Sequence, residues 1–153
     1  MAKGPVAGAT AGEGALTGIQ IIDANVILRW LLNDHPELSP RAAEFWDAVR
    51  GGECKAFVPE AVLAECVYVL IKSIKVPRAE VSEVLQKLIS MRGVTVGNRK
   101  AVLSALKLFG ESNLSFVDTL VAAHAVSSGA AIMSFDQELL KVARRMHSPK
   151  DPD

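Results

Sequence analysis

Ile19-Gln20-Ile21-Ile22-Asp23-Ala24-Asn25-Val26-Ile27-Leu28 changes its rhythm at the aspartate, and that change decides the fold. The first four residues are short, β-branched and almost wholly apolar, which predicts a strand buried on both faces of a parallel sheet. Beyond Asp23 the spacing predicts a helix over 26–32, capped by Asn25 and stopped by the turn-forming Asn33-Asp34-His35-Pro36. The same alternation continues along the chain. Ser39-Pro40 predicts a helix to about Arg50, with Ser39 as its cap, and Gly51-Gly52 ends it. Lys55 to Val58 reads as a second strand. Pro59-Glu60 opens a helix to about Ile74 whose apolar faces are Val62, Tyr68, Val69 and Leu70, and Pro77 opens another to about Met91. Gly93 to Gly97 reads as a third strand, followed by a helix capped by Asn98. Ser115 caps a helix over 116–128 that Gly129 closes. Ala130 to Met133 reads as a fourth strand, and a last helix runs from Asp136 to about Met146. Strands separated by helices predict an α/β fold: a short parallel sheet of about four to five strands with helices on both faces.

A chain of 153 residues, half of them hydrophobic, suits one ordinary domain that needs neither disulfides nor a structural metal to fold. The expected organisation is a Gly/Ala-rich tail over 1–18, a folded domain over 19–147 and a frayed tail over 148–153. The apolar runs near Ala61 and Thr119 are interrupted by Glu65 and His124 and fall short of the ~20 residues a spanning helix requires, so no membrane association is expected. Lys+Arg 17 against Asp+Glu 17 excludes a strongly basic nucleic-acid coat, while a nuclease needs only a local field. Cys54 and Cys66 lack metal-type spacing and read as reduced, buried thiols of a cytoplasmic protein.

Chemistry in open parallel sheets gathers at the carboxyl ends of the strands. Asp23 follows the first strand and Asp136 the expected fourth. Asp118 lies in the first turn of a helix, and Glu65 lies mid-helix among Ala61, Val62, Tyr68 and Val69. Each also has a purely structural reading. Asp118 stands three residues after Ser115 and completes a capping box, Asp136 suits an N-cap, and Asn25 can be no more than a cap. Asp23 resists that reading, because three branched apolar residues carry it toward the interior, where an unpaired charge costs several kcal/mol. Glu65 resists it too, having no cation among its helical neighbours. Two carboxylates about 4 Å apart repel by roughly 4 kcal/mol at an effective dielectric of 20, so acids that converge must bind protons or cations. Oxygen-only ligands favour Mg²⁺ or Mn²⁺, and such an acidic cluster suits phosphodiester hydrolysis.

The segments IIDANVIL, VLAECVYVL, SFVDTLVAAHA and SFDQELLK resemble, in order and spacing, the acidic motifs of PIN-domain ribonucleases, and the chain length resembles that of VapC-type toxins of toxin–antitoxin pairs. The resemblance spans Ile19 to about Met146. It implies a PIN-like fold and an Mg²⁺- or Mn²⁺-dependent endoribonuclease acting on single-stranded or structured RNA. Asp23, Glu65, Asp118 and Asp136 would then be the catalytic and metal-holding acids, with Asn25 orienting Asp23 or a water beside it. Glu65 either helps to coordinate or serves as general base. Ala24 departs from the Thr of many relatives, which removes a hydroxyl but no ligand. Ser115 and Thr119 can support the metal shell or cap their helix.

Around the expected rim, Lys141, Arg144 and Arg145 share one face of the last helix, and Arg29, Lys72, Arg99 and Lys100 are further cations. Scattered cations ordinarily just solvate helices. Trp30, Leu31, Leu32, Phe45 and Trp46 make an apolar surface that suits either the core, a homodimer face or the groove for an antitoxin segment. Two other function classes compete with the nuclease. One is a PIN-like module that binds or scaffolds RNA without cleaving it. The other is an aspartyl-phosphate domain, which is disfavoured because Ala24-Asn25 follow Asp23 and Ser134, not Lys, follows the expected late strand.

Overall fold

The computed structural model describes residues 17–148. The expected tails lie outside them, except for Thr17, Gly18 and Ser148. Among the described residues the elements are β1 (Ile19–Ile21), α1 (Ala24–Leu32), α2 (Leu38–Arg50), β2 (Lys55–Phe57), α3 (Glu60–Tyr68), a π-helical turn (Val69–Ser73), α4 (Arg78–Ser90), β3 (Val94–Thr95), α5 (Arg99–Glu111), α6 (Phe116–Ser128) and α7 (Gln137–His147). The α/β class is as expected. None of the described helices is long and apolar enough to cross a membrane. The chain divides into two compact units: residues up to Cys66 together with Ser90–Gly97, and Val67–Ile89 together with residues from Asn98 onward.

The first unit holds the sheet. Its strands run parallel in the order β1-β2-β3, with Gln20 opposite Ala56 and Ala56 opposite Val94. The ladder continues just past β2, where the Val58 amide donates to the Thr95 carbonyl at 2.9 Å. Ala56, Val58 and Val94 are buried, as the apolar runs predict. β1 is not. It is an edge strand of the described sheet, and Ile19 and Ile21 are 63% and 75% exposed, so the expectation of burial on both faces is corrected.

An aromatic anchor joins the two helices between β1 and β2. Trp46 is fully buried, its indole Nε1 donates to the Val26 carbonyl at 2.9 Å, and its ring stacks on Trp30 with centroids 5.2 Å apart. Buried indoles keep their ring apolar and their one N–H bonded, and this bond ties α2 to α1. The core reading therefore holds for Trp46. Gly93, at φ +91, lets the backbone before β3 pass the end of α2. A Cβ there would lie 3.0 Å from the Val49 carbonyl oxygen, and the positive φ itself strains any other residue.

Two expected boundaries move in this unit. α2 begins at Leu38, not after Ser39, because the His35 Nδ1 accepts from the amides of Glu37 and Leu38, while the buried Ser39 Oγ accepts from the His35 amide at 3.1 Å. α1 begins at Ala24, before the expected cap.

The second unit is helical. Ser82 Oγ donates to the Leu106 carbonyl at 2.6 Å, and the contact is close enough that a Cβ on Gly110 would come within 2.7 Å of Ser82. Arg78 reaches the end of α5, where its guanidinium donates to the carbonyls of Phe109 and Leu114 and lies 3.8 Å over the Phe109 ring. The last carbonyls of a helix have no partner within it, and Arg78 supplies one. Burial lowers its pKa from the ordinary value. α6 and α7 share a cluster of Leu114, Ala122, Leu139, Val142 and Ala143, against which Leu108, Ile132 and Met146 pack.

The expected fourth strand is absent from the described residues: 130–133 pair with no strand, so the described sheet has three strands rather than four or five. Ile132 packs into the helical cluster while Met133 stays exposed, which gives the segment an apolar face without a ladder. The expected helix from Glu60 to Ile74 also departs from regularity, ending in the π-helical turn where the Ile74 amide reaches the Val69 carbonyl. Tyr68, expected on an apolar face, is exposed.

Candidate active site

Asp23 stands between β1 and α1 in extended conformation (φ -98, ψ 177), and its carboxylate Oδ1 accepts from the Val26 amide at 3.3 Å. Asp23, not Asn25, is thus the N-cap of α1. One carboxylate oxygen is used in this way, and the negative charge suits the positive end of the helix dipole. Asn25 lies exposed in the first turn. The side chain of Asp23 is not carried inward, because the strand ends at Ile21 and the buried residue beside it is Ile22. An aspartate at the carboxyl end of a strand and the start of a helix can cap without being buried.

Glu65 is exposed on α3, contrary to the expectation that its apolar neighbours would enclose it. Its helix turns Leu63, Cys66 and Val67 inward and leaves Ala61, Glu65 and Tyr68 outward. The next residue joins the two acids of this unit. Cys66 is fully buried and its Sγ lies 3.8 Å from the Ala24 carbonyl, so α3 packs on the start of α1. Its thiol pKa is pushed up to about 12, first by burial, then by the charge of Glu65, then by that of Asp23. The two segments are related by the contact of Cys66 with the Ala24 carbonyl, residues adjacent in sequence to Glu65 and Asp23.

In the second unit, Asp118 lies half-buried in the first turn of α6. The Ser115 Oγ accepts from its amide at 3.1 Å, which makes Ser115 the cap. Thr119 is buried, and its hydroxyl donates to the Phe116 carbonyl at 2.7 Å, a local helical role. Asp136 is exposed and caps α7, accepting at one oxygen from the amides of Glu138 and Leu139 at 3.0 and 3.2 Å. The Ser134 hydroxyl in turn accepts from the Asp136 amide. Both acids accordingly sit at helix N-termini, where local backbone geometry orients them and leaves carboxylate oxygen available.

Among the described residues no three His, Cys, Asp or Glu side chains are grouped so as to hold a metal ion. The donors that each unit offers are carboxylates, Asp23 and Glu65 in one and Asp118 and Asp136 in the other. That oxygen-only set has the chemistry that suits a hard divalent cation. Arg78 and Phe135 had no part in the sequence argument. Arg78 holds Leu114, next to the Ser115 cap, and its one legible signal was a cation at the start of a helix, where the dipole disfavours it. Phe135 is an aromatic directly before a capping aspartate, off the apolar stripe of Leu139, Val142 and Met146.

The sequence profile of the PIN domain matches residues 21–145, a span that contains all four acids and elements of both units. A VapC ribonuclease of Aquifex aeolicus (strain VF5) is 26% identical over 132 residues, which cover 86% of this chain and 97% of that protein. No solved structure matches the chain. With a parallel α/β sheet, an aspartate capping the helix after the first strand, and a match that takes in nearly every described element, the chain belongs to the PIN domain family.

Proposed function

We infer that this protein is a VapC-type endoribonuclease of the cytoplasm, dependent on Mg²⁺ or Mn²⁺, and the toxin of a toxin–antitoxin pair. Its substrate is single-stranded or structured RNA, and its expected partners are a cognate antitoxin and a second copy of itself. The observation that carries the reading is the PIN-domain match over residues 21–145, which takes in all four acids, together with the similarity to a VapC ribonuclease. Each of the four carboxylates also lies in a segment that resembles a nuclease motif.

Asp23, Asp118 and Asp136, with Glu65, would hold the cation. When bound, the ion supplies Lewis acidity and offsets the charge of the scissile phosphate. The protein's own residues do the rest. Asp23 is oriented by the Val26 amide and Asp136 by the amides of Glu138 and Leu139, so neither needs to reorganise on binding. Glu65, exposed on α3, either joins them or accepts the proton of the attacking water as general base. Asn25, exposed in the first turn of α1, offers an amide to orient Asp23 or that water.

Cleavage of a labelled single-stranded RNA is the test. It is expected to require Mg²⁺ or Mn²⁺, to stop with EDTA, and to fall by roughly a hundred- to ten-thousandfold in Asp23→Asn. Asn caps a helix about as well as Asp, so the variant keeps its fold and loses only the charge. Cleavage that persists in Asp23→Asn, or in EDTA, overturns this mechanism. RNA binding without any cleavage points instead to the non-catalytic module.

A further inference from the structure

The chain is neutral as a whole, but its two units are not. Among the described residues the first unit carries five Lys or Arg against eight Asp or Glu, and the second carries ten against six. The positive charge of the second unit has a focus on α7. Lys141, Arg144 and Arg145 are exposed on one side of that helix, while Leu139, Val142 and Ala143 are buried on the other. Arg29, Arg50 and Lys87 each pair with a carboxylate, whereas among the described residues none of the three α7 cations does. The helix dipole favours cations in the last turn, which suits the two arginines, but Lys141 lies mid-helix and gains little from it.

At the other end of α7 stands Phe135, 90% exposed, immediately before the Asp136 cap. Burying such a side chain would contribute roughly 2 kcal/mol, yet its ring is left in water. From Asp136, Lys141 lies about 7 Å and the arginines about 12 to 13 Å along the helix axis. An aromatic face at one end and a row of cations leading away from it is the combination by which proteins hold single strands, stacking a base and tracking the phosphates.

We propose that Phe135 and the Lys141, Arg144 and Arg145 face of α7 form a track that holds single-stranded RNA, the ring stacking on a base and the cations bonding its phosphates. The track rests on the ribonuclease reading for its choice of RNA, but binding can be measured apart from cleavage.

The test is anisotropy of a labelled oligouridylate with the full chain in EDTA, repeated over a range of KCl concentrations. Each single-strand phosphate contact contributes about 0.7 to the slope of log affinity against log salt. The combined Lys141→Gln, Arg144→Gln and Arg145→Gln variant is expected to flatten that slope by about 2. Phe135→Leu keeps the apolar bulk without the ring face and is expected to weaken binding roughly tenfold at every salt concentration, with the slope unchanged. All four positions are exposed, and thermal unfolding of each variant confirms that the fold is intact. An unchanged slope in the triple variant overturns the phosphate track, and unchanged affinity in Phe135→Leu overturns the stacking. If the wild type shows both signatures but cleaves no RNA with Mg²⁺, the nuclease reading fails and the track stands. If it cleaves, and the variants cleave with unaltered KM, the track alone fails.

Discussion

In the sheet-bearing unit the anchor is an indole: Trp46 is enclosed by α1 and α2 and uses its one polar atom on the Val26 carbonyl. In the helical unit the corresponding tie is a cation, with Arg78 closing the end of α5 by bonds to Phe109 and Leu114 and by its place over the Phe109 ring. The surfaces differ in the same sense, one unit with an excess of acids and the other with an excess of bases. The proposed catalytic acids are divided between them. Asp23 and Glu65 sit on a negative background that favours a cation, whereas Asp118 and Asp136 sit on a positive one that favours a polyanion. Under the proposed function, a neutral chain would serve a metal and an RNA at once by separating its charges rather than by carrying a net one.

Substitutions at the two anchors probe that contrast most strongly. Trp46→Ala removes the largest buried ring and leaves the Val26 carbonyl without its donor, so a loss of about 3 to 5 kcal/mol is expected in urea unfolding. Arg78→Met keeps the aliphatic stem but removes the bonds to the Phe109 and Leu114 carbonyls and the cation over the ring, for an expected loss of about 2 kcal/mol. Equal losses would end the distinction between an apolar and an ionic anchor.

Cys66 reports on the electrostatics of the first unit. Its thiol titrates at 9.0 ordinarily and at about 12 in the fold, so above pH 9 the unfolded chain releases a proton that the folded chain keeps. Stability is therefore expected to decline from about pH 9 toward 12, with a slope of up to about 1.4 kcal/mol per pH unit from this group. Cys66→Ala should remove that part of the slope. Alkaline unfolding that is identical in the two proteins would mean that the thiol is not raised in the fold, by burial or by the two acids.

The smallest effect is expected at the α7 cap. Asp136→Ala leaves the Glu138 and Leu139 amides without an acceptor and should cost about 1 kcal/mol, whereas Asp136→Asn should cost little, by thermal unfolding. If both cost the same, Asp136 contributes through its charge and not as a cap.

The caps show how far local sequence carries. Ser115, Asn98 and Gly129 sit where their residue types predict, because a cap is settled by a few adjacent amides and carbonyls. Asn25 is not the cap of α1 because the helix already begins at Ala24, with Asp23 accepting from the Val26 amide. The expected strand over 130–133 failed for a different reason. Short apolar runs do not distinguish a strand from a segment whose one apolar side packs on helices, as Ile132 does. Glu65 was expected to be enclosed from its neighbours along the helix, but enclosure depends on which side of α3 the rest of the fold covers.

By itself, then, the sequence determined the α/β class, the caps at Asn98, Ser115 and Gly129, and which residues have the chemistry to hold a cation, since these follow from periodicity, capping and functional groups within a few residues. Only the tertiary structure decided that Ile19 and Ile21 stay exposed, that Glu65 and Asp23 act on the same buried thiol, and that the charges of a neutral chain separate into two units. Those outcomes depend on which distant segments pack together, and burial and electrostatic coupling are properties of that packing rather than of any short stretch of chain.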